Sequence, residues 1–185
     1  MHYFNLNNGK WEDINHKIVA TTDPNYKFAN ITNVFESHFG TYLQNGIISK
    51  TEDGKLIEFL NPQMYWEVNG QAVQLQTANN VAVNVNEDKA VYKNIFGEIS
   101  AEYTVKSGQR KLNYIIPNRQ SLGIIPVDAE YLVFTEEIKL PENFKIVDSF
   151  KQYNKLKKEY RTIPGVFILN NLDKVIYEYS APAIV

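Results

Sequence analysis

Two pairs of carboxylates in the second half of the chain have a spacing that would suit acid–base chemistry. Glu136 and Glu137 are adjacent, and Asp128 and Glu130 are two residues apart. Two carboxyl groups that face each other across a cleft can serve as general acid and general base in hydrolysis. Charged side chains also occur on the solvated faces of edge strands, where they discourage pairing between sheets. We favour this second interpretation, and the sequence therefore predicts no enzyme activity.

Few other groups in the chain could carry catalysis or bind a metal ion. His2, His16 and His38 are scattered, which favours roles at the surface or at the edge of the core over a metal site. Ser37 precedes His38, but adjacent residues of a strand point to opposite faces. The chain contains neither a G-x-S-x-G motif nor a glycine-rich phosphate-binding motif. We therefore expect no cofactor and no metal.

Aromatic residues offer another kind of site, because the face of a ring can stack on a ligand. The chain contains 2 tryptophans, 12 tyrosines and 10 phenylalanines. Trp11, Tyr65 and Tyr92 are the candidates for ligand stacking, provided that they lie on a wet face of the fold. Trp66, by contrast, follows an apolar pattern that predicts packing in the core or in an interface. A carbohydrate-binding module is therefore the alternative to a purely structural protein.

The composition narrows the class of protein. The 185 residues can form one domain with a substantial core, and a formal net charge of -2 creates no basic field for nucleic acid. The absence of cysteine excludes disulfide scaffolds, thiolate metal sites and thiol nucleophiles. No apolar run approaches ~18 residues, so we expect no transmembrane helix. The first residues show no signal-peptide pattern.

The elements that must position these residues are mostly β-hairpins. The clearest hairpin turns at Ser107-Gly108, and its predicted pairs run outward from Lys106/Gln109. Alternate pairs point to opposite faces, so one face of this ribbon becomes apolar and the other becomes polar. The predicted pairs include Val105/Arg110, Thr104/Lys111, Tyr103/Leu112, Glu102/Asn113, Ala101/Tyr114 and Ile99/Ile116, and the apolar face collects Ile99, Ala101, Tyr103, Val105, Leu112, Tyr114 and Ile116.

Two further turn signals, Asp53-Gly54 and Asn69-Gly70, predict hairpins upstream. Short strands are also predicted over 81–86, 90–95, 131–135 and 138–140. Such closely spaced turns without a helical stripe between them indicate antiparallel sheets rather than βαβ units. The predicted pairs are Glu52/Lys55, Thr51/Leu56, Ile48/Phe59 and Ile47/Leu60 in the first hairpin, and Trp66/Val73, Met64/Leu75, Glu67/Ala72 and Tyr65/Gln74 in the second.

The C-terminal part follows a different pattern. Residues 148–161 carry apolar side chains at a three-to-four spacing behind Asp148, a good helix cap, and therefore predict one helix. Residues 165–169 and 174–179 predict a last hairpin. The chain then ends in apolar residues, and an exposed apolar end packs either on its own core or on a neighbour. We predict a protein interface at Ala181, Pro182, Ala183, Ile184 and Val185.

Together these patterns predict a mainly β fold: an antiparallel β-sandwich or partly closed barrel with one C-terminal helix and an added hairpin. We expect residues 1–145 to form the sandwich or barrel domain. Residues 146–185 would form the helix and the C-terminal hairpin, packed on the same domain.

The region 32–116 includes the segments ITNVFESHFG and VYKNIFGEISAEYTVKSGQRKLNYII. A strand, an N-I-F turn, an acid-flanked strand, a glycine turn and a final strand with tyrosine follow one another there. This order resembles β-rich modules of large surface proteins of Bacteroidota, and similar modules occur in phage virion proteins. The resemblance implies a non-catalytic part with a structural or adhesive role.

We therefore expect a non-enzymatic building block of a virion, in its tail or head, or of a cell-surface assembly. Its partners would be copies of itself or other subunits of the assembly, with a glycan as the alternative ligand. We expect no direct readout of nucleic acid and no insertion into a membrane. The protein would be found in the virion or at the cell surface, after a cytoplasmic stage before release.

Overall fold

The computed structural model describes residues 1–5, 8–148, 157, 159–160, 165–180 and 183–184. The described part of the chain consists of β-strands, connecting loops and two short 3-10 turns over Leu43–Asn45 and Arg119–Leu122. In chain order the strands are β1 (His2–Asn5), β2 (Lys10–Asp13), β3 (Val19–Ala20), β4 (Phe28–Asn30), β5 (Glu36–Phe39), β6 (Ile47–Lys50), β7 (Lys55–Val68), β8 (Gln71–Thr77), β9 (Val83–Asn86), β10 (Lys89–Phe96), β11 (Ile99–Lys106), β12 (Gln109–Ile115), β13 (Tyr131–Lys139), β14 (Lys145–Asp148), β15 (Val166–Leu169), β16 (Val175–Tyr179) and β17 (Ala183–Ile184).

These strands form four sheets. One sheet has the order β17-β12-β11-β10-β9, and a larger one has the order β13-β7-β6-β5-β4-β3, with β8 also paired to β7. The order β14-β15-β16 makes a small third sheet, and β1 pairs only with β2 among the described strands. The described pairs are antiparallel except for β12 with β17. The mainly antiparallel β prediction is confirmed, and no described sheet closes into a barrel.

The core lies between the five-stranded sheet and the large sheet, in the manner of a sandwich. Aromatic rings from the two sheets meet there: Phe59 of β7 makes an edge-to-face contact with Tyr103 of β11, with ring centroids 5.2 Å apart. Burial of such large apolar side chains supplies most of the favourable free energy of folding. The buried cluster comprises Ile18, Phe39, Leu43, Ile47, Phe59, Met64, Ala90, Tyr92, Ile95, Phe96, Ile99, Ala101, Tyr103, Val105 and Tyr114.

The β11–β12 hairpin has the predicted register from Lys106/Gln109 to Ala101/Tyr114. Its predicted apolar face is the one that enters the core. The opposite face is less wet than predicted, because Thr104 is 8% exposed. Alternation along the two strands therefore identified the core face, while tertiary packing determined how much of the second face meets water.

The β6–β7 hairpin forms, but its predicted register is wrong by two residues. Ile47 pairs with Glu58 instead of Leu60. The cause is the loop: the N–H and the hydroxyl of Thr51 donate to the carbonyl oxygen of Gly54 over 3.0 and 3.1 Å. These bonds close a four-residue loop rather than a two-residue turn. A shift of two residues leaves each side chain on its predicted face.

The β7–β8 hairpin confirms the two predicted pairs nearest its turn and departs from the prediction beyond them. Met64 pairs with Gln76 rather than with Leu75. The backbone of Gln74 has a φ of 53°, in the left-handed region, where the ladder shifts by one residue. Such a bulge reverses the faces of the following side chains. Leu75 consequently points outward and is 56% exposed.

The predicted helix over 148–161 is not confirmed. Asp148, its predicted cap, is the last residue of β14 and pairs with Val166 of β15. Residues 149–156, 158 and 161–164 lie outside the described part. Lys157, Glu159 and Tyr160, which are described, are not helical. The C-terminal hairpin is confirmed as β15 and β16.

Candidate functional site

A buried ion pair connects the two sheets of the sandwich. Arg110 lies opposite Val105 in the β11–β12 ladder and therefore points into the core. Its guanidinium pairs with the carboxylate of Glu58 on β7, and the two side chains are 3% and 2% exposed. Arg110 Nη1 donates to Ser37 Oγ over 3.2 Å and to Ser49 Oγ over 2.8 Å. The Ser49 hydroxyl in turn donates to the same carboxylate.

The electrostatic surroundings keep Arg110 charged. Burial alone would lower its pKa, but the carboxylate of Glu58 raises it above the usual value. The guanidinium carbon also lies 5.5 Å from the centroid of the Tyr103 ring, which adds a cation–π contact. A buried charge is strongly unfavourable without an opposite charge beside it. The pair therefore favours the arrangement of the two sheets in which Arg110 and Glu58 are in contact.

Glu136, one of the predicted acid–base candidates, lies beside this ion pair. It is partly buried on β13, two residues after Phe134, whose ring stacks on Tyr114 with centroids 3.8 Å apart. Burial and, to a smaller extent, the charge of Glu58 raise the pKa of Glu136 to about 8, against the opposing effect of Arg110. Glu136 therefore loses its proton less readily than a solvated carboxyl group, which corrects our interpretation of it as a solvated edge-strand residue.

The structure does not bring the predicted carboxylate pairs together. Glu137 is exposed and accepts a hydrogen bond from Asn61 Nδ2 over 2.9 Å. Glu130 is exposed and accepts from the backbone N–H of Asn69 over 3.0 Å. Asp128 lies in an exposed loop. The solvated interpretation is therefore confirmed for these three residues.

The carboxylate that acts electrostatically on Glu136 is that of Glu58. Sequence reasoning did not identify Glu58 as a candidate. Both groups lie between the sheets, and neither lines the two surface clefts described below. None of the predicted carboxylates lines either cleft. The predicted pair Val105/Arg110 already carried a signal, because it placed an arginine on the apolar face, where a charge needs an opposite partner.

The histidines take part in separate surface pairs. His38 Nε2 lies 2.8 Å from the carboxylate of Glu36, two residues earlier on β5, and Glu36 also pairs with Lys50 over 3.1 Å. The hydrogen bond from His38 lowers the pKa of Glu36. The two-residue spacing could have revealed this pair. Within the described residues, no three His, Asp or Glu side chains are grouped to hold a metal ion.

The three aromatic candidates lie in three different sheets. Trp11 on β2 is 71% exposed. Tyr65 on β7 is partly buried and pairs with Val133. Tyr92 on β10 is 1% exposed, and its hydroxyl donates to the carbonyl oxygen of Gly40 over 2.8 Å. The prediction is therefore wrong for Tyr92, which is a core residue, and Trp11 is the most exposed of the three candidates.

Trp11 belongs to an exposed face of the β1–β2 hairpin, which we call the aromatic face: His2, Phe4, Trp11 and Asp13. Opposite residues and alternate pairs of an antiparallel ladder share a face, and the pairs are Phe4 with Trp11 and His2 with Asp13. The two aromatic rings contact each other with centroids 5.5 Å apart and planes at 66°. His2 Nδ1 lies 2.8 Å from the carboxylate of Asp13.

The opposite face of the hairpin holds the two strands and their turn together. The carboxylate of Glu12 accepts hydrogen bonds from Tyr3 Oη over 2.9 Å, from Asn5 Nδ2 over 3.0 Å and from Asn8 Nδ2 over 2.6 Å. The bonds from Asn5, Asn8 and Tyr3 lower the pKa of Glu12. This network fixes the hairpin that carries Trp11.

A cleft of about 660 Å³ adjoins the aromatic face. It lies between the segment that follows β2 and the turn between β9 and β10. Two backbone hydrogen bonds hold this region. The N–H of Ile18 donates to the carbonyl oxygen of Glu87 over 2.7 Å, and the N–H of Val105 donates to the carbonyl oxygen of Asp88 over 2.9 Å. Asp13 belongs to both the aromatic face and the cleft. The cleft is lined by Asp13, Ile14, Asn15, His16, Lys17, Glu87 and Asp88.

A second cleft, of about 370 Å³, lies near the second 3-10 turn. Its aromatic residue, Phe96, is 2% exposed and belongs to the core. This cleft therefore presents no exposed ring to a ligand. It is lined by Gln76, Phe96, Gly97, Glu98, Gln120, Ser121, Leu122 and Gly123.

The predicted tail interface is only partly described. Ala183 and Ile184 form β17, which pairs in parallel with Asn113 and Tyr114 at the edge of β12. Ala181, Pro182 and Val185 lie outside the described residues. The backbone of the tail therefore extends a sheet of its own chain, and its role as an interface stays a prediction.

No protein-family model, curated protein or solved structure matches this chain. The resemblance to surface and virion modules therefore stays a prediction. In the part of the chain that the structure describes, no helix is long and apolar enough to cross a membrane.

Proposed function

We propose that this chain is a non-enzymatic interaction module, a β-rich building block of a virion or cell-surface assembly. The observation that carries the proposal is a short run of exposed apolar side chains around the loop before β13. Ile124, Val127 and Tyr131 are 84%, 100% and 57% exposed. Exposed apolar side chains that lie close together in the sequence can mark a site of protein contact, because contact removes them from water.

The neighbouring strand supports the same proposal. Among the described residues, β13 pairs only with β7, so one edge of this nine-residue strand is open. An open edge offers unpaired N–H and C=O groups to a strand of another chain. The second half of β13 is interrupted by register shifts on both sides of Glu137. The regular half, which begins at Tyr131, is the part suited to pairing with a second copy.

The buried ion pair supports a role without catalysis. Arg110 and Glu58 are held in the sandwich interior, where a substrate would have to separate the sheets to reach them. Glu136 is partly buried beside them. We infer that these charged groups stabilise a specific arrangement of the sheets rather than a reaction.

Mass in solution tests the proposal, measured by light scattering on a size-exclusion column over a concentration series. We expect the intact chain to form a defined oligomer and the double variant Ile124→Ser, Val127→Ser to shift toward monomer. The matched control is Leu172→Ser, because Leu172 is 79% exposed in the turn between β15 and β16.

Deletion of residues 180–185 tests the predicted tail interface separately. If this deletion abolishes the oligomer and the double variant does not, the interface lies in the tail rather than in the loop before β13. A monomer at every concentration of the intact chain would overturn the proposed self-assembly.

A further inference from the structure

We propose that the aromatic face and the adjoining cleft together form a binding site for a neutral glycan. This inference goes beyond the assembly role and does not depend on it. It rests on the juxtaposition of two exposed aromatic rings with a cleft rich in hydrogen-bonding side chains.

The aromatic half of the site is Trp11 with Phe4. Trp11 is 71% exposed and Phe4 is 43% exposed, so both rings are accessible from solvent. Their edge-to-face contact fixes the tilt of one ring relative to the other. The C–H face of a pyranose ring is apolar, and it can cover an indole face and remove it from water. An exposed, pre-oriented tryptophan is therefore suited to stack on a sugar.

The polar half of the site is the cleft. Carboxylates accept hydrogen bonds from sugar hydroxyls, while a side-chain amide and an ammonium group donate to them. Asn15 Oδ1 already accepts from the backbone N–H of Lys17 over 2.9 Å, an arrangement that fixes the position of the Asn15 side chain. Asp13 connects the two halves, because it lines the cleft and shares the face of Trp11.

The size of the cleft suits a small ligand. Its volume of about 660 Å³ lies within the usual range of ligand pockets, roughly 300–1,000 Å³. A ring stacked on Trp11 and a neighbouring ring in the cleft would use both halves at once. The cleft near Phe96 lacks an exposed ring, which is why we do not assign the glycan to it.

The charge of the cleft selects the class of glycan. Asp13, Glu87 and Asp88 contribute three carboxylates, against the ammonium group of Lys17 and the imidazoles of His16 and of His2, which contacts Asp13. This surplus of negative charge repels sialylated, sulfated and uronic acid sugars. The same surplus disfavours nucleic acid. Uncharged oligosaccharides bind there without that penalty.

The test is binding of the full chain to two panels of soluble oligosaccharides. One panel is neutral, with gluco-, manno-, galacto- and xylo-oligosaccharides, and the other is sialylated or uronic. Tryptophan fluorescence and calorimetry report binding. We expect at least one neutral oligosaccharide to bind in the millimolar range or tighter, and Trp11→Ala to weaken it roughly tenfold or more. Asp13→Asn should weaken it by a smaller factor.

Leu172→Ala is the matched control, since Leu172 is an exposed apolar residue in the turn between β15 and β16, and it should leave affinity unchanged. Circular dichroism of each variant verifies that the fold is intact. Binding that Trp11→Ala does not weaken, binding of anionic sugars only, or no binding of any neutral sugar would each overturn the inference. The mass of the oligomer is measured separately, so a failure here leaves the assembly proposal untouched.

Discussion

Arg110 of β12 and Glu58 of β7 form an ion pair across the two sheets of the sandwich, with side chains only 3% and 2% exposed. Ser37 and Ser49 complete the hydrogen bonds of the guanidinium. Four residues from four strands thus meet at one polar junction inside an otherwise apolar core. We expect this junction to make one relative placement of the sheets more favourable than its alternatives.

Removal of one partner from this junction should be strongly destabilising. Glu58→Gln keeps the volume but leaves the Arg110 charge buried without its counter-charge. We expect the free energy of unfolding to fall by about 3–5 kcal/mol in urea denaturation near neutral pH. Lys145→Ala is the control: its pair with Asp173 is exposed, and loss of such a pair costs less than about 1 kcal/mol. Equal effects of the two substitutions would contradict the assigned role of the junction.

Glu136 should make stability depend on pH. Its folded pKa of about 8 lies above its ordinary value of 4.5, so the folded state holds a proton that the unfolded state loses between these values. The stabilising contribution of protonated Glu136 is therefore complete below about pH 4.5 and is lost as pH rises through about 8. Between these values the free energy of unfolding falls by up to ~1.4 kcal/mol for each pH unit.

Glu136→Gln removes this dependence. Relative to the wild type, the variant should gain stability as pH rises from about 5 to about 9, as measured by denaturant unfolding at several pH values. Glu137→Gln, at an exposed neighbouring position, is the control and should leave the pH profile unchanged. Parallel profiles for the wild type and Glu136→Gln would show that Glu136 is ionised in the fold.

Two buried tyrosines should respond differently to loss of their hydroxyl groups. The Tyr92 hydroxyl donates to the carbonyl of Gly40 over 2.8 Å, so Tyr92→Phe should lower the unfolding free energy by about 1–3 kcal/mol. The Tyr103 hydroxyl is buried and has no hydrogen-bond partner within the described structure. Tyr103→Phe should therefore be neutral or stabilising. Thermal denaturation of both variants checks the contrast, and a larger loss for Tyr103→Phe would contradict it.

Gly46 should not tolerate a side chain. Its φ is 70°, and an added Cβ would lie 2.7 Å from a Leu60 methyl carbon and 2.8 Å from the carbonyl oxygen of Glu58. Gly97 has a similar φ of 58° with no atom within 4 Å of an added Cβ. Gly97→Ala should then cost about 1–2 kcal/mol for the left-handed backbone, and Gly46→Ala should cost more. Equal losses in urea denaturation would mean that Leu60 and the backbone relax freely.

Local signals were sufficient for some elements and insufficient for others. The β11–β12 register follows from one glycine turn and strict alternation, both of which lie within the hairpin itself. The β6–β7 register depended on hydrogen bonds from Thr51 to Gly54, which select a longer loop than the dipeptide suggested. The β7–β8 bulge depended on the backbone of Gln74, a residue type with no preference for the left-handed region.

The candidate sites show the same division. Each stacking candidate had to be exposed to solvent, and the sequence could not show whether it was. Trp11 is exposed, whereas Tyr92 is buried. Phe4 was overlooked because its importance depends on its position opposite Trp11 in the ladder. The cleft was inaccessible to sequence reasoning, since its walls come from residues 13–17 and 87–88, about seventy positions apart.

The sequence by itself determined that this protein is built from antiparallel hairpins, because turn residues and alternation act within a few residues of each other. It also determined the absence of thiol chemistry, because the chain has no cysteine. Only the tertiary structure decided which charged side chains meet in the interior and which aromatic rings face solvent. Those outcomes depend on contacts between residues distant in sequence, such as Arg110 with Glu58. The pattern of apolar and polar residues along one strand carries no information about the sheet that packs against it.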